Sequence, residues 1–234
     1  VALLINKRVD GIIMSLSNES NNDFHIKEIL RKEIPFVQFD KISKLIPSSK
    51  VIINDQKAAM EAVQHLIDKG CKKIAHIRGP ENPQNAIDRF IGYKKALEKN
   101  GIRYDSKLVY TCKNVTFEEG LEFAKQIIEE HPDVDGIFVI TDLVAVGVLA
   151  YFNEKRIQVP NQIAIIGFSN WFMSQVITPK LSTVDQPSYE MGVAAFSLLL
   201  EEMVCHKEGK VFFPRTIELE TNIIERDSSL KVIK

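Results

Sequence analysis

The residues best suited to bind a small molecule follow a short apolar run in the second half of the chain. Ile163-Ala164-Ile165-Ile166 ends at Gly167, and the polar Ser169 and Asn170 come directly afterwards. An apolar run bounded by turn signals predicts a strand buried on both faces. Parallel sheets hold ligands outside the carboxyl ends of such strands. Ser169 and Asn170 are therefore candidates for contact with a small molecule.

Catalytic motifs are weak in this sequence. Gly167-Phe168-Ser169-Asn170-Trp171 follows the G-x-S-x-G nucleophile pattern until its last position, where tryptophan replaces glycine. HExxH, CxxC, GxGxxG and P-loop patterns do not occur. The 5 histidines are scattered without the spacing of a zinc site. The sequence predicts a protein that is not an enzyme and needs neither a metal nor a cofactor.

The elements that would position such residues alternate between short apolar strands and amphipathic helices. Thr116-Phe117-Glu118-Glu119 has the spacing of a capping box and predicts the start of a helix. Either Thr141 or Asp142 is predicted to be the N-cap of the next helix. Residues 212–224 are rich in β-branched side chains and predict one long strand. Strands separated by helices of this length predict βαβ units with parallel sheets, an α/β fold.

Composition limits the partners and the compartment. The length of 234 residues suggests one large unit or two lobes. With 30 basic and 31 acidic side chains and no dense basic block, direct contact with nucleic acid is not expected. An apolar run of about 18 residues, which a membrane span needs, is missing from the sequence. Cys71, Cys112 and Cys205 are odd in number and widely spaced, which predicts free thiols in a reducing cytoplasm.

Several short motifs, in one order and at matching spacing, together resemble the LacI family of bacterial transcription regulators. Any one of them is weak, whereas the ordered set is specific. Each is similar to a family pattern: RVDGIIL, IPVVxxDR, HLIxxGHxxIA, RxxGFxxAL, NDxxAxG, VPxDIAIIGFDN, and a threonine-proline pair followed by LTTVxQP. The corresponding segments are 8–13, 34–40, 65–75, 89–97, 141–147, 159–170 and 178–187.

The resemblance implies a fold like that of the type I periplasmic binding proteins. In this fold two α/β lobes, each a parallel sheet flanked by helices, are joined by crossing strands and hold a ligand between them. By analogy, residues 1–54 and 187–212 form the amino-terminal lobe, and residues 55–186 and 213–234 form the carboxyl-terminal lobe. Family members begin with a helix-turn-helix headpiece and a first βαβ segment. This chain is expected to start after both, so an incomplete amino-terminal lobe is predicted.

The resemblance also implies three ligand contacts near the starts of helices. In relatives the arginine at the position of Arg89 reaches polar groups of the ligand, and the alternative is a solvated helix arginine. Asn85, four residues earlier, is implied as a small polar contact, with a helix N-cap as the alternative. Thr141 replaces the asparagine of the ND pair and is expected to combine N-cap and ligand contact. Val115 stands where several relatives place a stacking aromatic, so that platform is expected to be absent.

Three further contacts surround the main departure from the family pattern. Ser169 stands where relatives have an aspartate that accepts hydrogen bonds from sugar hydroxyls. This change either favours an anionic effector such as a sugar phosphate, or indicates a rearranged neutral-sugar site or no effector. Gln186 is implied as a ligand contact or a hinge hydrogen bond. Trp171, with Phe172, either supplies an aromatic face to the ligand or is an ordinary core or interface residue.

These observations predict the effector-sensing and dimerisation domain of a cytoplasmic LacI-type regulator. Its expected partners are a sugar or sugar phosphate and a second copy of the chain, with no membrane. Operator DNA is expected to be bound only through the headpiece. The alternative is a periplasmic sugar-binding protein of a transport system, which would share the fold and part of the site.

Overall fold

The computed structural model describes residues 1–16 and 24–230. Helices and strands alternate in it as the sequence predicts. The helices are α1 Ala2–Asn6, α2 Phe24–Arg31, α3 Asp55–Asp68, α4 Gln84–Lys99, α5 Phe117–Glu130, α6 Asp142–Lys155, α7 Met173–Val176 and α8 Ser188–Lys207. The strands are β1 Ile12–Met14, β2 Phe36–Phe39, β3 Ser49–Ile53, β4 Ile74–Arg78, β5 Val109–Thr111, β6 Gly136–Val139, β7 Ala164–Phe168, β8 Ser182–Asp185, β9 Thr216–Leu219 and β10 Asn222–Ile224.

The chain divides into two compact units. Unit 1 comprises Val1–Ile53 and Pro187–Glu220, and unit 2 comprises Asn54–Gln186 and Thr221–Lys234. The last crossing therefore lies after Glu220, later in the chain than the predicted boundary after residue 212. The reason is that β9 pairs with β3 in unit 1, with Val51 opposite Ile217.

Unit 1 is built on a four-stranded parallel sheet in the order β1-β2-β3-β9. Its core contains Ile12 and Phe36 from the strands and Ile29 from α2, all nearly inaccessible to solvent. Helix α8 also belongs to this unit and approaches the sheet closely, because Glu202 accepts a hydrogen bond from the Phe36 backbone N–H at 3.3 Å.

Unit 2 carries a six-stranded sheet in the order β10-β8-β7-β6-β4-β5. All of its neighbouring strands are parallel except β10, which runs antiparallel to β8. The central strands β4, β6 and β7 are buried on both faces along almost their whole length, which agrees with helix cover on both sides. The carboxyl ends of these strands lie at one edge, where the predicted site residues follow them. The α/β class with parallel sheets is thus confirmed.

One predicted strand is wrong. Residues 212–224 do not form a single strand but two, since β9 ends at Leu219 and β10 begins at Asn222. The first joins the sheet of unit 1 and the second joins the sheet of unit 2. A run of β-branched residues predicts extended backbone but does not show where the chain passes from one sheet to another.

Two glycines allow α5 and α6 to pack in close contact. A Cβ atom on Gly120 would overlap the Val144 carbonyl oxygen, and one on Gly147 would overlap the Phe117 carbonyl oxygen. The predicted capping box at the start of α5 is present, with reciprocal bonds between Thr116 and Glu119. Together these features fix the two helices that lie next to the loop after β6. In the described ranges no helix is both long and apolar enough to cross a membrane.

Candidate functional site

Arg89 lies at the centre of the candidate site, in the first half of α4. The residue is 2% exposed, so the alternative of a solvated helix arginine is wrong. The guanidinium Nε donates to Asp55 Oδ1 at 2.7 Å, and Nη1 donates to the Ile140 carbonyl oxygen at 2.8 Å. The planar guanidinium also lies over the Phe168 ring, with 3.5 Å between Cζ and the ring centroid. These contacts hold Arg89 against the carboxyl ends of β6 and β7.

The ion pair of Arg89 with Asp55 is buried on both sides. The side chains are 3% and 10% exposed, respectively. Such pairs lose hydration on both partners, so removing one partner leaves a costly uncompensated charge. The pairing also offsets the positive charge of the guanidinium locally, while its flat face is oriented by the aromatic ring. The site thus contains a rigid, nearly neutral hydrogen-bonding group.

The loop after β7 has an unusual backbone. Ser169 and Asn170 have positive φ angles of 107° and 51°, in the region that favours glycine. Hydrogen bonds hold both: Ser169 N–H donates to the Val184 carbonyl at 2.9 Å, and Asn170 N–H donates to Thr183 Oγ1 at 3.2 Å. The Asn170 side chain donates to Asp185 at 2.8 Å. Strained loops persist when their surroundings fix them, and they concentrate at binding sites.

Ser169 and Gln186 are brought together by this loop. Ser169 Oγ donates to Gln186 Oε1 at 3.3 Å, and both side chains are partly exposed. Gln186 is the last residue of the first segment of unit 2. The pair presents a hydroxyl and an amide, two uncharged groups that can both donate and accept hydrogen bonds.

Asp142 is a structural centre of the site that sequence reasoning missed, since it was considered only as an N-cap. It is 1% exposed, and its carboxylate accepts from the Thr183 hydroxyl and from the Trp171 backbone N–H, both at 2.7 Å. Burial raises the pKa of Asp142 to about 6, against the opposing effect of these hydrogen bonds. A Cβ atom on Gly167 would overlap this carboxylate, so glycine at the end of β7 makes room for it.

The remaining predicted contact residues are Thr141, Asn85 and Trp171. Thr141 is the N-cap of α6, as predicted, and its hydroxyl accepts from Val144 N–H at 3.5 Å. Asn85 is not the N-cap of α4, because Pro83 holds that position; its side chain accepts from Ala86 N–H at 2.9 Å. Trp171 contributes its backbone N–H to the centre; the residue is 45% exposed, and its ring contacts the Phe172 ring edge-on, with centroids 5.0 Å apart.

The loop before α5 contains Val115, the position where no stacking aromatic ring was expected. Val115 has a φ of 60°, which is rare for a β-branched residue. It packs against the unit 2 core and carries no aromatic ring. The Glu119 carboxylate accepts hydrogen bonds from this loop, from the backbone N–H groups of Lys113 at 2.6 Å and Thr116 at 3.1 Å. Those hydrogen bonds lower the pKa of Glu119, although burial opposes them.

One cluster has the residue types of a catalytic triad. His65 Nε2 lies 2.7 Å from Ser229 Oγ, and His65 Nδ1 lies 3.6 Å from Glu225 Oε2. Ser229 is completely buried, and its hydroxyl donates to Ser182 Oγ at 2.7 Å. A nucleophile must reach its substrate, and this hydroxyl is enclosed. Through these hydrogen bonds, the cluster connects the segment after β10 to α3 and β8. Among residues 1–16 and 24–230, no three His, Cys, Asp or Glu side chains group as metal ligands.

Known proteins similar to this chain are transcription regulators. Residues 63–229 match a family described as a periplasmic binding protein-like domain. Catabolite control protein A of Priestia megaterium is 36% identical over 202 residues, which cover 86% of this chain and 60% of that protein. The ribose operon repressor of Halalkalibacterium halodurans is 30% identical over 225 residues, covering 95% of this chain and 63% of that protein. The chain thus spans about three fifths of these relatives.

Solved structures agree with this relationship. The transcription regulator CcpA of Lactococcus lactis superposes with a TM-score of 0.87 at 29% identity, covering 97% of this chain and 80% of that one. A LacI family regulator from Enterococcus faecium with bound ribose gives 0.85 at 26% identity, covering 100% and 84%. A sugar-binding LacI family regulator from Escherichia coli complexed with phosphate gives 0.79 at 26% identity, covering 97% and 79%.

Proposed function

The chain belongs to the periplasmic binding protein-like domain family, in the form found in LacI-family transcription regulators, and we propose that it senses a small effector and dimerises within such a regulator. The observation that carries this proposal is the buried Arg89, fixed by Asp55 and Phe168 at the carboxyl end of the unit 2 sheet. A preorganised arginine beside a strained polar loop suits recognition of a hydroxyl-rich ligand.

The effector class we propose is a neutral sugar or sugar derivative. Replacing aspartate by Ser169 removes a negative charge, which by itself would favour a sugar phosphate. The charge of Arg89, however, is already offset by Asp55 at 2.7 Å, and this leaves little uncompensated positive charge to attract a phosphate. Relatives are divided on this point, since one structure holds ribose and another holds phosphate.

Each predicted contact residue has a distinct proposed role. Arg89 donates to a ligand hydroxyl from its oriented guanidinium, and Ser169 with Gln186 supplies an uncharged donor and acceptor pair. Thr141 and Asn85 add small polar contacts from the starts of α6 and α4. We propose no ligand contact for the Trp171 ring, because this ring packs on Phe172.

Dimerisation is proposed from exposed apolar surfaces on each unit. Contiguous exposed apolar patches mark protein interfaces. In unit 1, exposed apolar side chains recur along α8 at intervals of three or four residues. In unit 2, exposed apolar side chains lie in and around α7. The α8 side chains are Tyr189, Val193, Phe196, Leu200 and Val204, and those around α7 are Leu143, Trp171, Phe172 and Val176.

The place of this chain in regulation follows from these proposals. An effector that binds two conformations with different affinity shifts their populations, and the shift is read at the operator. We assign operator binding to a headpiece of the intact regulator and not to these residues, whose formal net charge is −1. The assigned compartment is the cytoplasm, and no catalytic activity is assigned. The alternative of a transport protein gains no support from the relatives above, which are regulators.

A thermal-shift screen of sugars and their phosphate esters tests the effector proposal. A ligand that binds only the folded chain raises its melting temperature by mass action. At least one neutral sugar should raise it, and the Arg89→Met variant should lose the shift. Lys125→Met, on the exposed face of α5, is the matched control and should keep it. A panel with no stabilising sugar, or one in which only phosphate esters stabilise, would contradict the proposed class.

A further inference from the structure

The side chain of Asn170 is held between two charged residues of unit 2. Its Nδ2 donates to Asp185 Oδ1 at 2.8 Å, and its Oδ1 accepts from Arg226 Nη2 at 2.8 Å. Asp185 is the last residue of β8, and Arg226 follows β10, the strand that pairs with β8. Hydrogen bonds to charged groups are roughly twice as strong as those between neutral groups. Both ends of the Asn170 amide are therefore fixed, and we call these three side chains the Asn170 clamp.

Arg226 makes further contacts that fix its own position. Its Nη1 donates to the Leu181 carbonyl oxygen at 2.8 Å and to Ser174 Oγ at 3.1 Å. Its backbone is held as well, because its N–H and its carbonyl oxygen both bond to Ser182 Oγ at 2.8 Å. A planar guanidinium serves several acceptors from one fixed fork, whereas a lysine ammonium is a point charge on a flexible stem. The Asn170 clamp therefore depends on an arginine at this position.

The Asn170 clamp lies directly after Ser169, whose backbone is strained. The φ of Ser169 is 107°, and that of Asn170 is 51°, a conformation that asparagine adopts more readily than most residues. Ser169 Oγ donates to Gln186 Oε1 at 3.3 Å, which is long for a hydroxyl donor. So long a bond restrains the hydroxyl weakly. Because strained conformations persist only where neighbouring contacts fix them, the conformation of Ser169 depends on how firmly Asn170 is held.

We propose that Arg226 and Asp185 are positioning residues of the effector site. By holding the Asn170 amide at both ends, they keep Ser169 in its strained conformation and aim its hydroxyl at a sugar hydroxyl. A loop that is ordered before binding loses less conformational freedom when the sugar binds, which raises the affinity. This inference rests on the effector-sensing function proposed above. It adds two residues that set the affinity without contacting the effector.

The conformation of this loop can be measured without a ligand, because Trp171 is the single tryptophan of the chain and follows Asn170. In Arg226→Gln, the Trp171 emission should shift to the red and acrylamide should quench it more strongly, with an unchanged far-ultraviolet circular dichroism spectrum. Arg226→Lys should change both signals in the same direction. Arg103→Gln, at an exposed arginine between α4 and β5, is the matched control and should change neither. A Trp171 signal in Arg226→Gln equal to that of the parent chain would overturn the proposal.

An exchange of the Asn170 and Asp185 side chains separates positioning from general stability. Asn170→Asp places a second carboxylate against Asp185 and should weaken binding of D-ribose by about tenfold in calorimetric titration. Ribose is the probe because a related regulator holds it. Adding Asp185→Asn to this variant reverses donor and acceptor, so Arg226 keeps an acceptor and the affinity should return to that of the parent chain. A double variant that regains its melting temperature but not its affinity would overturn the positioning role.

The effector proposal and the positioning proposal fail in different ways. If D-ribose does not bind the parent chain, the neutral sugar with the largest thermal shift replaces it. Should no sugar bind, the effector proposal is contradicted, and the Trp171 emission of Arg226→Gln still decides whether the Asn170 clamp holds the loop. Sugar binding that stays within about twofold in Arg226→Gln would support the effector site and overturn the positioning role.

Discussion

The ion pair of Arg89 with Asp55 allows a stability prediction that is independent of any ligand. Arg89→Met removes the charge and keeps an unbranched apolar side chain, so that Asp55, whose side chain is 10% exposed, loses its ion pair with the guanidinium. Removing one member of a buried pair costs about 3–5 kcal/mol. Asp55→Asn should cost less, because the guanidinium keeps the Ile140 carbonyl and the Phe168 ring. The double variant leaves neither charge unpaired and should recover part of the loss.

Urea unfolding of the four chains in this cycle measures the coupling between the two side chains. We expect a coupling free energy of about 2 kcal/mol with an unchanged dependence on urea concentration. Asp133→Asn, which breaks the exposed pair with Lys73, is the control and should cost less than about 1 kcal/mol. Additive single effects, or an Arg89→Met cost as small as that of the control, would refute the reasoning.

Three further outcomes follow from the same structure. Gly167→Ala should destabilise the chain by about 1–3 kcal/mol in urea unfolding, because its Cβ would overlap Asp142, whereas Gly192→Ala, which meets open space, should not destabilise it. Burial raises the native pKa of Asp142 to about 6, so the stability that the protonated carboxyl contributes is lost as pH rises from about 4 to about 7. Asp142→Asn should remove this decrease of the unfolding free energy with pH, and an unchanged decrease would contradict the prediction. Phe172→Asp with Val176→Asp should lower the mass in sedimentation equilibrium if α7 lies in the dimer interface, and an unchanged mass would argue against this surface.

Much of the fold was predictable because local patterns and tertiary structure agree. The capping box at Thr116 and the N-cap at Thr141 are both present, since each satisfies backbone donors that any helix start leaves open. The apolar run before Gly167 is a central strand because helices cover both faces of its sheet. These features depend on neighbours a few residues apart.

The parts that could not be predicted depend on distant neighbours. The β-branched residues 212–224 read as one strand, and only pairing with β3 and β8 divides them between two sheets. Asp142 looked like an ordinary cap residue; its importance arises from Trp171 and Thr183, which reach it from the loop after β7 and from β8. Arg89 was predicted as a ligand contact, but the sequence did not reveal that Asp55 compensates its charge.

Isothermal titration calorimetry tests the central claim most directly. The neutral sugar with the largest thermal shift and its phosphate ester would be titrated into the chain and into Arg89→Met. We predict that the neutral sugar binds the chain more tightly than the ester, and that Arg89→Met weakens it by at least about tenfold, or 1.4 kcal/mol. Tighter binding of the phosphate ester, or unchanged sugar binding without the guanidinium, would contradict the proposed site.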